Sequence, residues 1–229
     1  MPKIKMPRSA PSIDMTPMVD LAFLLVTFFM LSANFRTDEP VQVSTPSSIS
    51  DKEVPVKRFI QVTVSRDGFV YFNASGESTR QQTLEEMLKK YNMNLTPEQK
   101  KEFLKIGSFG CSMAQLPKYL EMTPEQRKEL KGWEVPCDST HNELKDWIFF
   151  SNKASLAQGQ IDFKDESSKT TDKLDVNEYK PKFILKVDGK ANYASAKRVI
   201  ETFRDLNRLN LYFVTSLEEN PYNRNKKEE

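Results

Sequence analysis

One apolar run near the N-terminus constrains the fold of this chain more than any other feature. Residues 18–33 read MVDLAFLLVTFFMLSA and contain only three polar side chains. With its flanks, over residues 15–35, the segment has about 21 residues, which as a helix matches the thickness of a bilayer. The sequence predicts one transmembrane helix here, and the mean hydropathy of the 229-residue chain, −0.60, excludes a protein with many spans.

The charges on either side of this run predict its orientation. Three basic side chains precede it: Lys3, Lys5 and Arg8. After it, Arg36 is accompanied by the acidic pair Asp38 and Glu39. Basic residues collect on the cytoplasmic side of a membrane span. We therefore expect residues 1–14 to be a cytoplasmic tail and the bulk of the chain to be exported.

A cleaved secretory signal is the alternative interpretation, since such signals also combine a basic start with an apolar core. Leu31-Ser32-Ala33 is a poor cleavage site, and Asp20 would interrupt the apolar core. Cleavage would leave a secreted soluble protein that begins near Asn34.

Asp20 is the most informative residue of the run. An aspartate inside a spanning helix costs roughly 2.5–3.5 kcal/mol on insertion scales, so it usually faces a partner or a wet cavity. Helical periodicity places Asp20, Thr27 and Asn34, which are spaced by seven, within about 40° on one face, with Thr16 one turn earlier. A single helix cannot cover its own polar stripe, so the stripe indicates packing against other helices. The alternative is that Asp20 lies among the lipid headgroups and is simply solvated.

The residues around Asp20 carry a resemblance to a known family. Thr16-Pro17-Met18-Val19-Asp20-Leu21, followed by an apolar run, resembles the TP-x-x-D-x opening of the ExbD/TolR family of biopolymer-transport proteins. The resemblance implies a single-pass subunit of the bacterial inner membrane with a periplasmic domain. It implies that Asp20 carries protons in a motor driven by the proton gradient, consistent with the tendency of a carboxyl group withdrawn from water to become neutral.

The resemblance also implies the partners of the chain. They are a pentameric ring of ExbB-like subunits, a second copy of the chain as a homodimer, and a TonB-like protein on the exported side. Protons would be transported, and no cofactor is implied. A TolR-like role in envelope maintenance is a close alternative within the same family.

The residues after the helix predict a linker followed by an α+β domain. Residues 36–54 are rich in Ser, Thr and Pro, a composition typical of an extended linker. Within it, Val41-Gln42-Val43 favours a short strand, and the family resemblance implies that this strand can pair with a neighbouring subunit. The domain itself is expected over residues 55–217, followed by a charged tail over 218–229.

The first block of the domain has a hairpin pattern. Two β-branched and aromatic runs, 59–65 and 69–72, flank Arg66-Asp67-Gly68, and an Asp-Gly pair in this setting is a strong hairpin signal. A helix capped by Ser78 or Thr79 is expected to extend to about Tyr91.

The second block completes the predicted sheet. Residues 182–188 favour a strand, Gly189-Lys190 a turn, 193–209 an amphipathic helix and 211–215 a buried strand. Together the two blocks predict an α+β sandwich with helices on one face of a sheet. The strand-to-helix junction, Val187-Asp188-Gly189 followed by Tyr193, also resembles the periplasmic domain of the family.

Residues 94–179, between the two blocks, predict an inserted helical subdomain that shorter family members lack. The segment LTPEQKKEFL, from Leu95, recurs as MTPEQRKEL from Met122. Each copy has Thr at the N-cap, Pro at N1 and Gln at N3, which is a capping box. A third helix is expected after Asp138 or Ser139, and residues 158–175 are expected to form a mobile return loop.

The two cysteines, Cys111 and Cys137, follow the two repeat copies at similar distances. In an exported region they form either a disulfide or two unpaired buried thiols. A zinc site is not expected, because His141 is the only histidine of the chain.

Composition and motifs exclude several classes of function. A net charge of +2 is too balanced for a protein dominated by nucleic-acid binding. No phosphate loop, dinucleotide fingerprint or nucleophile elbow occurs in the sequence, so we do not expect an enzyme. A motor subunit remains the first hypothesis. The second is a passive membrane-anchored module that binds peptidoglycan or a protein, in which Asp20 serves only helix assembly.

Overall fold

The computed structural model of the chain describes residues 15–32, 41, 43–48, 54–130, 132–138, 140–169 and 175–217. It separates into two compact units, Met1–Arg36 and Thr37–Glu229. The predicted tails, residues 1–14 and 218–229, lie outside the described residues, as do Asn34 and Gln42.

The first unit contains one helix, α1, which extends from Thr16 to Ser32. Its apolar side chains are exposed around the helix, with Leu31 89% exposed and Met30 74% exposed. Within the described residues, no helix combines the length and the apolar character needed to cross a membrane.

The second unit is built on a mixed four-stranded sheet. Its strands, with a small separate pair, are β1 (Ser47–Ser48), β2 (Phe59–Val64), β3 (Val70–Ala74), β4 (Lys182–Val187), β5 (Leu211–Val214) and β6 (Ser216–Leu217). The order in the sheet is β3-β2-β4-β5. The pair β2–β3 is antiparallel, whereas β2–β4 and β4–β5 are parallel, and β1 pairs with β6 in parallel.

The described residues of this unit contain six helices. They are α2 (Glu77–Lys90), α3 (Pro97–Lys105), α4 (Leu116–Glu121), α5 (Pro124–Glu129), α6 (Glu143–Ser167) and α7 (Tyr193–Asp205), with 3₁₀ turns at Met113–Gln115 and Val176–Tyr179. The domain is therefore α+β, as predicted.

The predicted hairpin is confirmed. The register pairs Val64 with Val70, and Gly68 lies in the connecting turn with φ of 87°. A side chain at Gly68 would be strained by that dihedral angle, and its Cβ would lie 2.6 Å from Ser195 Oγ. The Asp-Gly signal therefore marks both a turn and a close approach between the hairpin and α7.

The predicted cap of α2 is wrong. Neither Ser78 nor Thr79 caps this helix; it begins after Gly76, whose φ is 88°, and no side chain caps it. The positive φ of the glycine turns the chain from β3 into the helix without a polar cap. Thr79 lies in the first turn and is buried instead.

The insertion shares the core of the sheet and does not form a separate helical subdomain. Trp147 of α6 is 1% exposed and stacks on Phe103 of α3, with ring centroids 6.0 Å apart. The same indole contacts Phe72 of β3 and Phe109. Aromatic rings from the insertion and the sheet therefore form one cluster.

The insertion also occupies the outer edge of β3. Phe72 exchanges two backbone hydrogen bonds with Phe109, with N–O distances of 2.8 and 3.0 Å. The N–H of Val135 donates to the carbonyl of Val70 at 2.9 Å. One edge of the sheet is thus paired to segments of its own chain, while β5 forms the other edge.

Both predicted capping boxes are confirmed. The Thr96 side chain accepts from the N–H of Gln99, and the Thr123 side chain accepts from the N–H of Gln126. In each case the glutamine side chain accepts from the backbone N–H of the threonine. The repeat in the sequence therefore encodes two helix starts, although α5 is shorter than α3.

The third insertion helix differs from its prediction. Asn142 caps α6, because its Oδ1 accepts from the N–H of Lys145. The prediction that Asp138 or Ser139 caps this helix is therefore wrong. Asp138 precedes the observed cap, and Ser139 lies outside the described residues. The helix continues to Ser167, so most of the predicted return loop over 158–175 is helical. Gly159 allows the backbone of Tyr179 to approach this helix closely, because a side chain at Gly159 would collide with the carbonyl of Tyr179.

The C-terminal strand and helix also depart from their predictions. Helix α7 ends at Asp205, four residues before the predicted end. Strand β5 was expected to be buried, but Phe213 is 57% exposed. Among the described strands β5 is the last of the sheet, and its apolar side chains are incompletely covered.

Candidate functional site

The face of α1 that contains Asp20 is the first candidate site. In a regular helix over Thr16–Ser32, the side chains of Thr16, Asp20 and Thr27 lie within about 40° of one another. Thr27 is the one partly buried residue of the helix, and its Oγ1 donates to the carbonyl of Leu24 at 2.9 Å. Asn34, the fourth residue of the predicted stripe, lies outside the described residues.

Asp20 is the only ionisable residue of α1. Its neighbours on the helix are large apolar side chains, and every residue of α1 except Thr27 is exposed. One carboxyl group on an otherwise apolar helix is chemically able to take up and release a proton wherever the surroundings of the helix are apolar. The role of Asp20 as a proton carrier stays a prediction.

The second candidate site is the corner where β4 ends. The N–H of Ser44 donates to Oδ2 of Asp188 at 3.0 Å, and the N–H of Lys190 donates to Oδ1 of the same carboxylate at 2.9 Å. The N–H of Gly189 donates in turn to the carbonyl of Ser44 at 2.9 Å. Asp188 is 7% exposed, so the segments that it binds also shield its carboxylate from water.

The electrostatic surroundings of Asp188 favour its charged form. The N–H groups of Lys190 and Ser44 lower the pKa of the Asp188 carboxyl, and they outweigh the opposing effect of desolvation. The positive charges of Arg66 and Lys190 lower it further. Asp188 is therefore ionised at neutral pH.

The segment held at this corner is residues 43–48, which we call the tether. Beyond Ser44 it follows the end of the sheet, where the carbonyl of Pro46 accepts from the N–H of Ser216 at 2.9 Å. Its strand, β1, pairs with β6 of the same chain. Val41 and Val43, from the predicted strand Val41-Gln42-Val43, lie outside any strand of this single chain. The predicted pairing with a neighbouring subunit stays a prediction.

Sequence reasoning did not assign a role to Asp188, although its position was visible. The Val187-Asp188-Gly189 junction was singled out as a strand-to-helix connection only. The hydrogen-bonding partner, Ser44, is 144 residues away in sequence, and no local pattern connects the two.

The cysteines adopt one of the two alternatives left open by the sequence. Cys111 and Cys137 are free and buried. Burial raises the pKa of the Cys111 thiol, and the nearby Glu143 adds to that effect. Burial also raises the pKa of Cys137, to about 11. Both thiols are therefore protonated and unreactive near neutral pH.

We expect both thiols to resist alkylation in the folded chain. At pH 7, iodoacetamide should modify neither Cys111 nor Cys137 until a denaturant is added, after which both should react without any reductant. Mass spectrometry of the alkylated, unreduced protein measures this. If the denatured chain reacts only after reduction, the cysteines form a disulfide and the arrangement of free thiols is wrong.

His141 is exposed, and among the described residues no group of histidine, cysteine, aspartate and glutamate side chains is arranged to hold a metal ion. The sites with a defined chemistry are therefore the carboxyl group on α1 and the carboxylate at the end of β4.

Comparison with known proteins gives one match. A family model described as biopolymer transport protein ExbD/TolR matches residues 6–106. The matched range contains α1, the tether, the β2–β3 hairpin, α2 and α3, and it ends inside the predicted insertion. No curated protein and no solved structure matches the chain.

Proposed function

We propose, from the match of residues 6–106 to the ExbD/TolR family model, that this protein is the energy-transducing subunit of an inner-membrane motor. The motor would use the proton gradient to energise transport of the TonB-dependent type at the outer membrane. In this proposal α1, with its flanking residues, is the single transmembrane helix, the N-terminus is cytoplasmic, and the α+β domain lies in the periplasm.

The observation that carries this proposal is the position of Asp20. It is the only ionisable side chain on a helix whose apolar residues are exposed around its circumference. Exposed apolar side chains of this number require an apolar environment, either lipid or other helices. A carboxyl group in such surroundings is expensive to ionise unless a partner or a wet cavity faces it. The helix therefore suits a place inside a ring of partner helices.

The mechanism that follows is a cycle of protonation. Asp20 takes up a proton from the periplasmic side, and its neutral form is free to move past apolar surfaces of the ring. Release of the proton to the cytoplasmic side restores the charge and completes the step. Each charge that crosses the membrane potential supplies about 2.3 kcal/mol per 100 mV, in addition to the pH difference.

The partners belong to the same proposal. A pentameric ring of ExbB-like subunits would surround α1 helices from two copies of the chain, and a TonB-like protein would receive the motion from the periplasmic domain. Association of the two copies is supported by the exposed apolar side chain of Phe213 on β5, which is 57% exposed. A TolR-like envelope-maintenance motor would use the same chemistry with a TolQ-type ring.

We expect the full-length chain to co-purify with a larger membrane protein in a complex of fixed stoichiometry. The chain would be tagged at the C-terminus, extracted in mild detergent from its native cells, and weighed as an intact complex by native mass spectrometry. Five copies of one partner with two copies of this chain would support the motor. Purification of the chain without a ring partner would support the passive anchored module instead.

The choice between the two motor systems needs a separate observation. Cells that lack the chain should lose uptake that depends on outer-membrane receptors while keeping an intact envelope, if the chain serves a TonB-like protein. Leakage of periplasmic proteins with normal uptake would indicate the TolR-like role.

A further inference from the structure

We propose that Asp188 is a latch that holds the tether against the folded domain and so sets how long the connection between α1 and β2 can become. The proposal rests on contacts within the second unit and goes beyond the proposed function.

The latch is a set of three backbone contacts around one carboxylate. Oδ2 of Asp188 accepts from the tether at Ser44, while Oδ1 accepts from Lys190 in the turn that follows β4. The carbonyl of Ser44 accepts from the N–H of Gly189, so Ser44 is held through both of its backbone groups. The carboxylate thereby joins two segments that are far apart in sequence.

Apolar burial does not hold the tether. Every described residue of 43–48 is exposed or only partly buried. Hydrogen bonds with a charged acceptor, together with the short β1–β6 pairing, therefore supply the main attachment. An attachment of this kind opens without unfolding the core, whereas a segment held by buried apolar side chains would not.

The latch changes the maximum length of the connection between α1 and the folded domain. With Ser44 held, the covalent connection from α1 to the domain is residues 33–43, which cannot span more than about 40 Å even when fully extended. With the tether released, the connection is residues 33–58, and its limit rises to about 90 Å. The latch therefore more than doubles the maximum length of this connection when it opens.

The test uses two substitutions that break the latch from opposite sides. In Asp188→Asn, one oxygen remains to accept from Lys190, but the new amide group presents a donor to the Ser44 N–H, which is also a donor. In Ser44→Pro, the tether loses its N–H while the carboxylate and its turn stay intact. The matched control is Asp175→Asn, because Asp175 accepts from the N–H of Asn177 in a similar turn that does not contact the tether.

The measurement is amide hydrogen exchange of the full-length protein in detergent, resolved to single residues. The reporter amides are those of Gly189 and Ser216, which donate to the tether carbonyls. In both latch variants we expect these amides to exchange about tenfold faster or more, while the β2–β4 ladder keeps its protection. The control variant should leave the reporters unchanged.

Two outcomes would overturn the latch. One is unchanged protection of both reporters in both variants. The other is equal acceleration in the control variant. If Asp188→Asn also loses protection in the β2–β4 ladder, it has damaged the fold, and the Ser44→Pro result alone decides. The exchange measurement does not depend on transport activity. It can therefore contradict the latch without contradicting the proposed motor.

Repeating the exchange measurement at lower pH provides an independent test of the latch. The pKa of Asp188 in the fold lies below its ordinary value. The stabilisation of the latch is therefore fully present at pH values above the ordinary pKa, and it is lost as the pH falls through the lowered pKa. The charged groups that face Asp188 are Arg66 and Lys190. After correction for intrinsic exchange, wild-type reporters should therefore lose protection in acid, and those of Asp188→Asn should show no further loss. An equal acid response in both proteins would contradict the role of the carboxylate.

Discussion

Replacing Asp20 by asparagine should abolish the biological activity of this protein while leaving its assembly intact. Asparagine has nearly the same shape and polarity as a protonated aspartate, so packing of α1 against partner helices should survive. It cannot bind or release a proton, however, so the cycle that transfers charge across the membrane cannot operate. The loss should be complete because no other ionisable residue lies on α1 to replace it.

The measurement is transport-dependent growth of cells in which the variant is the only copy of the chain, together with recovery of the intact complex. Thr27→Val is the matched control, because it removes a polar group from the same face without removing a titratable one. It should retain most activity. Asp20→Glu keeps a carboxyl group and should retain partial activity. Full activity of Asp20→Asn would remove the proton-carrying role and leave the passive module.

Replacing Trp147 by alanine should have the largest effect on stability. The indole is 1% exposed and contacts aromatic rings from the sheet and from the insertion. Removing a large buried aromatic side chain costs about 3–5 kcal/mol, which is a large part of the stability of an ordinary domain. The expected result is a drop of this size in the free energy of unfolding of the full-length chain.

Urea denaturation followed by far-ultraviolet circular dichroism measures the change, and it does not depend on the fluorescence of the deleted residue. Phe149→Ala is the control on the same helix, since Phe149 is 51% exposed and its removal should cost far less. A loss below about 1 kcal/mol for Trp147→Ala would mean that the insertion folds independently of the sheet. A separate first transition at low urea would lead to the same conclusion.

The elements with strong local signals were predictable from the sequence. The hairpin followed from Asp67-Gly68 between two alternating strands, and the helix starts at Thr96 and Thr123 followed from their capping boxes. In each case the residues that determine the structure are within a few positions of one another. Local propensity and tertiary contacts agree there, so the pattern was sufficient.

The features that were mispredicted depend on distant contacts. The part of α6 beyond Gln158 contacts the turn at Val176–Tyr179, where the rings of Phe163 and Tyr179 lie 5.2 Å apart, and no residue near Gln158 signals that contact. The exposure of β5 depends on its place at the sheet edge, which the strand pattern alone does not reveal. The bonds of Asp188 likewise depend on Ser44, which arrives from a different part of the chain.

The segments that lie along β3 close that side of the sheet to further strands. The N–H and C=O groups of an unpaired edge strand are a template for further strands. Here Phe109 and Val135 already pair with β3, so the β3 side does not offer that template. The insertion therefore removes one route by which copies of this domain could add to one another through their strands.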